Sequence, residues 1–139
     1  MGKYRIIVDT NLWISLLIGK RLSGLRSLCN SEMIEVYICK ELIEEFVKIS
    51  SQKKIMKYVT EERVIQTLDL MKTSCILISI EDNVVSSNLR DINDLFLLKL
   101  AETINADFIL TGDKDLLILK SHLQTEITTY SIFISEIFK

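Results

Sequence analysis

Two apolar runs of this chain end in the same way, Ile6-Ile7-Val8-Asp9 and Phe108-Ile109-Leu110-Thr111-Gly112-Asp113. Neither run alternates apolar with polar residues, and both are rich in residues that suit a pleated backbone, so each reads as a strand buried on both faces. Strands of that kind belong to parallel sheets covered by helices, where ligands bind beyond the carboxyl ends of the strands. The two acids therefore face one crevice if the strands are neighbours at the point where strand order reverses.

The rest of the pattern alternates between strand and helix. A strand is expected from Tyr4 to Val8, then the beginning of a helix from Leu12 to Leu17. A second strand spans Met33 to Cys39, and a helix follows from Lys40 to Ile49 with Leu42, Ile43, Phe46, Val47 and Ile49 as its apolar face. Thr60 is placed to cap a helix that runs to Lys72, and Glu61 and Glu62 suit the positive end of its dipole. Cys75 to Ile80 reads as a third strand and Ser86 to Asp91 as a loop. Leu95, Leu98, Ala101 and Ile104 recur at helical spacing, widened by Phe96, Leu97 and Leu100, which predicts a helix nearly surrounded by protein. A fourth strand runs from Ala106 to Leu110, a helical segment begins at Leu116 to Leu119, a fifth strand covers Glu126 to Tyr130, and a helix closes the pattern over Ser131 to Phe138. Right-handed crossovers between such strands give an α/β class with a mostly parallel sheet covered on both faces.

Composition narrows the class further. The 139 residues contain no proline and four glycines, with neither a repeat nor a low-complexity linker, so 1–139 reads as a single domain. Asp9 and Asn11 interrupt the apolar start and no small-residue cleavage site follows, which argues against a secretory signal. No stretch long enough to span a bilayer is free of charge, so no membrane role is expected. Cys29, Cys39 and Cys75 lack metal-binding spacing and have apolar neighbours, and they read as reduced, largely buried thiols of a cytoplasmic protein. The single histidine, His122, sits in a Lys-Ser-His stretch with no ligand partner nearby and reads as a surface residue.

Clustered carboxylates repel one another and are costly to desolvate, so a crevice that gathers them calls for a cation or for shifted protonation. Oxygen-only ligands suit magnesium or manganese, and one or two such ions can stabilise the attacking and leaving oxygens of a phosphodiester. Two divalent ions would also reverse the sign of the net charge, which is −2, so the acidic balance does not exclude a nucleic-acid partner. Thr10, Asn11 and Thr111 are candidates to orient water or phosphate. Each acid has a structural alternative, since an Asp after a strand often caps the next helix and a Glu on an amphipathic helix usually faces solvent. On pattern alone, Asp9 and Asp113 stay open between metal ligands and helix caps.

The runs Val8-Asp9-Thr10-Asn11, Leu42-Ile43-Glu44-Glu45-Phe46, Asp91-Ile92-Asn93-Asp94 before Phe96-Leu97 and Ala101, and Thr111-Gly112-Asp113-Lys114-Asp115 occur in this order and spacing. Together they resemble the PIN-domain family over essentially the whole chain, and most resemble its single-domain, VapC-like members, regarded as toxins of bacterial and archaeal toxin–antitoxin systems. The resemblance implies a three-layer α/β/α sandwich with a five-stranded parallel sheet, and a pocket that binds magnesium or manganese and cleaves single-stranded RNA. By position it makes Asp9, Glu45, Asp94 and Asp113 the metal-binding acids and Asp115 an additional one. Thr10, Asn11 and Thr111 correspond to polar residues near the pocket, and Asp91 accompanies Asp94 as a supporting acid. Glu45 fits the pattern better than its neighbour Glu44. An antitoxin partner and a homodimer are further implications.

A competing reading keeps the fold as a non-catalytic module that binds RNA or protein. Trp13 and Phe46 would then line a partner groove, although aromatic residues at helical spacing are more often core. A phosphoryl-transfer enzyme with Asp9 as nucleophile is disfavoured because Asn11, not a second aspartate, stands two residues on. Lys20, Arg21, Arg26, Lys53, Lys54 and Lys57 are candidate RNA backbone contacts, weighed against an ordinary solvated surface.

Overall fold

A computed structural model describes residues 3–19, 21–80 and 95–137. The elements run β1 (Tyr4–Val8), α1 (Thr10–Ile18), α2 (Leu22–Cys29), β2 (Ile34–Ile38), α3 (Lys40–Ser50), α4 (Lys53–Met56), α5 (Glu61–Ser74) and β3 (Ile76–Leu77). After the undescribed segment come α6 (Leu95–Ile104), β4 (Phe108–Leu110), α7 (Lys114–Leu119), β5 (Ser121–His122), β6 (Thr125–Thr128) and α8 (Tyr130–Ile132), which widens into a π-helical turn, Phe133–Ile137.

The strands form one sheet in the order β3-β2-β1-β4-β6-β5, with every described pairing parallel except β5 with β6. From β1 the chain builds outward to β2 and β3 on one side, then to β4 and β6 on the other. The reversal of strand order thus falls between β1 and β4, as the two acid-ended strands required. Successive strand residues point to opposite faces, and Ile6, Ile7 and Val8 are all fully buried, so both faces of β1 are covered. The outcome is a helix-covered, mostly parallel sheet. Its core joins Trp13, Leu17, Leu25, Phe46, Met71, Leu97 and Ile109 from helices and strands alike, and the largest of these, Trp13 and Phe46, are core residues rather than groove lining.

The helices obey their sequence signals. Thr60 caps α5 by accepting from the Arg63 N–H at 3.2 Å, and no residue of α6 is exposed. Besides the short helix α4, which the sequence pattern did not announce, three features differ from expectation. Residues 22–29 form a helix that the sequence reading left unassigned, in which Gly24 leaves room for the Tyr130 hydroxyl, since a Cβ there would stand 2.7 Å from it. The third strand is shorter than Cys75 to Ile80: Ile76 and Leu77 pair with Tyr37 and Ile38 at the end of β2, and the ladder stops after the Ile78 N–H donates to the Ile38 carbonyl. Ser121–His122 adds an antiparallel edge strand to the five parallel ones, and its alternation turns His122 inward.

That inward turn corrects the placement of His122 on the surface. It is 9% exposed, and its Nε2 lies 2.8 Å from Glu102 Oε2 on α6, so the ring ties the edge hairpin to a core helix. Among the described residues no helix is long and apolar enough to cross a membrane.

Candidate metal site at the strand switch point

The β1–β4 register sets Val8 opposite Leu110, and the Asp9 N–H continues the ladder by donating to the Leu110 carbonyl at 2.9 Å. Asp9 and Thr111 therefore leave the sheet side by side. The Thr111 hydroxyl donates to Asp9 Oδ2 at 2.7 Å and accepts from the Asp113 N–H at 3.0 Å. One buried threonine, 1% exposed, thus links both acid-bearing turns, and its own N–H is fixed by the Thr128 carbonyl of β6.

The two aspartates differ sharply in environment. Asp9 is only 2% exposed and precedes α1 without making a side-chain cap hydrogen bond. Burial pushes its carboxyl above the ordinary carboxylate range. The Thr111 hydroxyl and the backbone N–H groups of Asn11 and Thr10 pull the other way, while the charge of Asp113 adds to the rise. Asp113 is half-buried and does cap a helix, its Oδ1 accepting from the Asp115 N–H at 2.8 Å. Asp115 itself is exposed on the first turn of α7.

Beside these acids lies a cavity of about 320 Å³ lined by Asn11, Leu12, Ser15, Gly112 and Asp113. Gly112 borders open space, with nothing within 4 Å of the position its Cβ would take. Ser15 and Leu12 were missed by the sequence reading, although Ser15 stands one helical turn beyond Asn11 and shares its face. Thr10 is wholly buried and lies off the cavity wall, and its Oγ1 has no hydrogen-bond partner among the described residues.

Glu45 is half-buried on α3, a helix packed on α1, whereas Glu44 is exposed. Among the described residues no three His, Cys, Asp or Glu side chains converge as a metal-holding group, so Glu45 does not close into one set with Asp9 and Asp113. Asp91 and Asp94 lie outside the described residues. So does Lys20, while Arg21, Arg26, Lys53, Lys54 and Lys57 are all exposed.

The donor chemistry at the switch point suits a hard divalent cation. A carboxylate desolvated by burial and set near a second acid favours its neutral form, and a cation between the two offsets both penalties through oxygen ligands.

Residues 5–115 match the PIN domain family. The chain belongs to the PIN-domain family. No curated protein sequence gives a significant match. Among solved structures, VapBC2 from Rickettsia felis, crystallised with a DNA fragment from their promoter, superposes with a TM-score of 0.56 at 15% identity, covering 91% of this chain and 98% of the other. At that identity the likeness concerns the fold, and it spans the α/β sheet and helices described above.

Proposed function

We propose that this PIN domain is a divalent-metal-dependent endoribonuclease acting on single-stranded RNA, the toxin of a cytoplasmic toxin–antitoxin pair. The observation that carries the reading is the buried Asp9 carboxylate, held by Thr111 at the strand switch point with Asp113 on the same hydroxyl and an open cavity beside them. Asp9 and Asp113 would hold one magnesium or manganese ion. In the family pattern Glu45, Asp94 and Asp115 would be ligands for it or a second ion, with Asp91 in support. When bound, such an ion polarises a phosphoryl oxygen and makes water a stronger nucleophile at neutral pH.

The chain's own residues supply placement. Thr111 fixes the orientation of Asp9 by donating to one carboxylate oxygen. Asn11 and Ser15 present polar groups along the cavity wall, suited to phosphate oxygens. Gly112 leaves the approach to Asp113 open. No histidine takes part, because the one histidine is engaged with Glu102.

An antitoxin partner follows from the sequence likeness to single-domain toxins and agrees with the fold likeness to VapBC2. A homodimer belongs to the same reading, as does action by 1–139 as a single domain. The alternative, a PIN-fold module that binds RNA or protein without cleaving it, draws on the lack of a third converging acid among the described residues.

Incubating the purified protein with single-stranded RNA and manganese or magnesium separates the two. Cleavage that requires the ion and disappears in both Asp9→Asn and Asp113→Asn supports the nuclease. Cleavage that survives both substitutions, or RNA bound but left intact with either ion, overturns it.

A further inference from the structure

On the opposite flank of β2 from β1, two cysteines approach each other from distant parts of the chain. Cys29 ends α2 and Cys75 follows α5, and their sulfurs stand 4.0 Å apart as free thiols sharing a hydrogen bond. We propose that Cys29 and Cys75 form an oxidisable dithiol that hydroperoxide closes to a disulfide. This inference is independent of the nuclease reading.

The geometry fits closure. A disulfide needs its sulfurs about 2.05 Å apart, so the pair has to approach by about 2 Å, a distance that side-chain rotation can supply. The neighbouring residues already bridge the same two segments, since the Ser74 hydroxyl donates to Asn30 Oδ1 at 3.4 Å. The helices are held together around the pair through Leu25, Leu28, Leu70 and Met71, all buried in one core.

Cys75 lines a mostly apolar cavity of about 260 Å³ with Leu68, Met71 and Lys72 among others, while a separate polar depression is lined by Arg26, Asn30, Thr73 and Ser74 and by neither cysteine. Cys29 is 9% exposed and Cys75 is half-buried, so Cys75 is the more open of the two residues. The two sulfurs share a contact in which either can donate, and the Arg26 cation near Cys29 favours the Cys29 thiolate against the opposing effect of burial. Cys75 is raised by the same contact. Cys29 is thus the attacking sulfur and Cys75 the resolving one.

The chemistry balances with one hydroperoxide. The Cys29 thiolate attacks an O–O oxygen, the bond breaks to leave Cys29 sulfenic acid, and the departing oxygen takes a proton to leave as water or alcohol. The Cys75 sulfur then attacks the sulfenic sulfur, forms the S–S bond, and expels hydroxide, which takes the Cys75 proton to become water. Cys39 stays outside this exchange, because among the described residues the sulfur–sulfur contact joins Cys29 and Cys75 alone.

Hydrogen peroxide added in equimolar amount to the reduced full chain tests the proposal by thiol titration, intact mass and peptide mapping. Expected are the loss of two thiols, a mass lower by two hydrogens, a peptide linking Cys29 to Cys75, and full reversal by dithiothreitol. In Cys75→Ser, Cys29 stops at sulfenic acid and is trapped by dimedone; the mapping of the wild type stands even where that variant folds poorly. Retention of all three thiols overturns the proposal. So does a cross-link through Cys39, a bond between chains, or over-oxidised Cys29 with no cross-link.

Discussion

The turns after β1 and β4 begin from the same sequence device, an apolar strand running into an aspartate, yet they put it to different uses. After β1, Asp9 is buried, makes no cap hydrogen bond to α1, and is pushed towards its neutral form. After β4, Asp113 is half-buried and caps α7 through the Asp115 N–H. A helix start can accommodate a capping acid at little cost, whereas a desolvated acid that does not cap costs stability unless something else stabilises its charge. The contrast separates a desolvated acid, Asp9, from one that serves a helix start, Asp113, and in the proposed function the heavier burden falls on Asp9.

The strongest way to break this contrast is Asp9→Asn. Cleavage of RNA in manganese is expected to fall by about a thousandfold, since several kcal/mol of charge stabilisation go with the ligand. Thermal melting without metal should move the other way. The folded pKa of Asp9 lies above its unfolded value, so the folded state keeps the proton longer and stability declines as pH rises through the window between the ordinary and the raised value. Asp9→Asn should melt higher than wild type above that window, and its melting temperature should lose that decline. A lower melting temperature for the variant at neutral pH would contradict the assignment.

Thr111→Val tests the link between the turns. It removes the donor to Asp9 and leaves the carboxylate more poorly solvated, so activity is expected to drop by about 10–100-fold, the usual cost of losing an orienting partner. The acid limb of the pH–rate profile should move to higher pH, because the hydroxyl that lowers the Asp9 pKa is gone. An unchanged profile would mean that the 2.7 Å contact does not tune the acid.

Asp113→Ala sharpens the contrast from the other side. Besides lowering activity, it should destabilise the metal-free fold by about 1 kcal/mol, the ordinary value of a helix cap, measurable by urea denaturation. Equal stability changes in Asp113→Ala and Asp9→Asn would erase the distinction between the two turns. The smallest effect is expected for Gly112→Ala. Its methyl enters open space, so melting should scarcely change, and any rise in KM for RNA would report on narrowing of the cavity mouth.

Much of this arrangement was legible in the chain. The unbroken apolar runs marked β1 and β4 as doubly covered strands, Thr60 marked the start of α5, and the apolar stripe of Leu95–Ile104 marked α6. Less legible were elements whose signal is tertiary. Ser121 and His122 have no strand pattern of their own, and they pair with Glu126 and Thr125 because Lys120 and Leu123 adopt positive φ on either side, at 62° and 54°. Glu102 and His122 are twenty residues apart, and no periodicity announces that they meet. Thr111 was readable as a polar residue near the pocket, but its position as the hydroxyl shared by both turns was not.

By itself, the sequence determined the α/β class, the two strand ends that carry acids, and the helix faces that bury the sheet, because those follow from local periodicity and from the need to remove apolar surface from water. Only the tertiary structure decided which aspartate is desolvated and which is a cap. Desolvation depends on the segments that close over a side chain, and the register of β1 against β4 sets Asp9 beside a buried threonine 102 residues away.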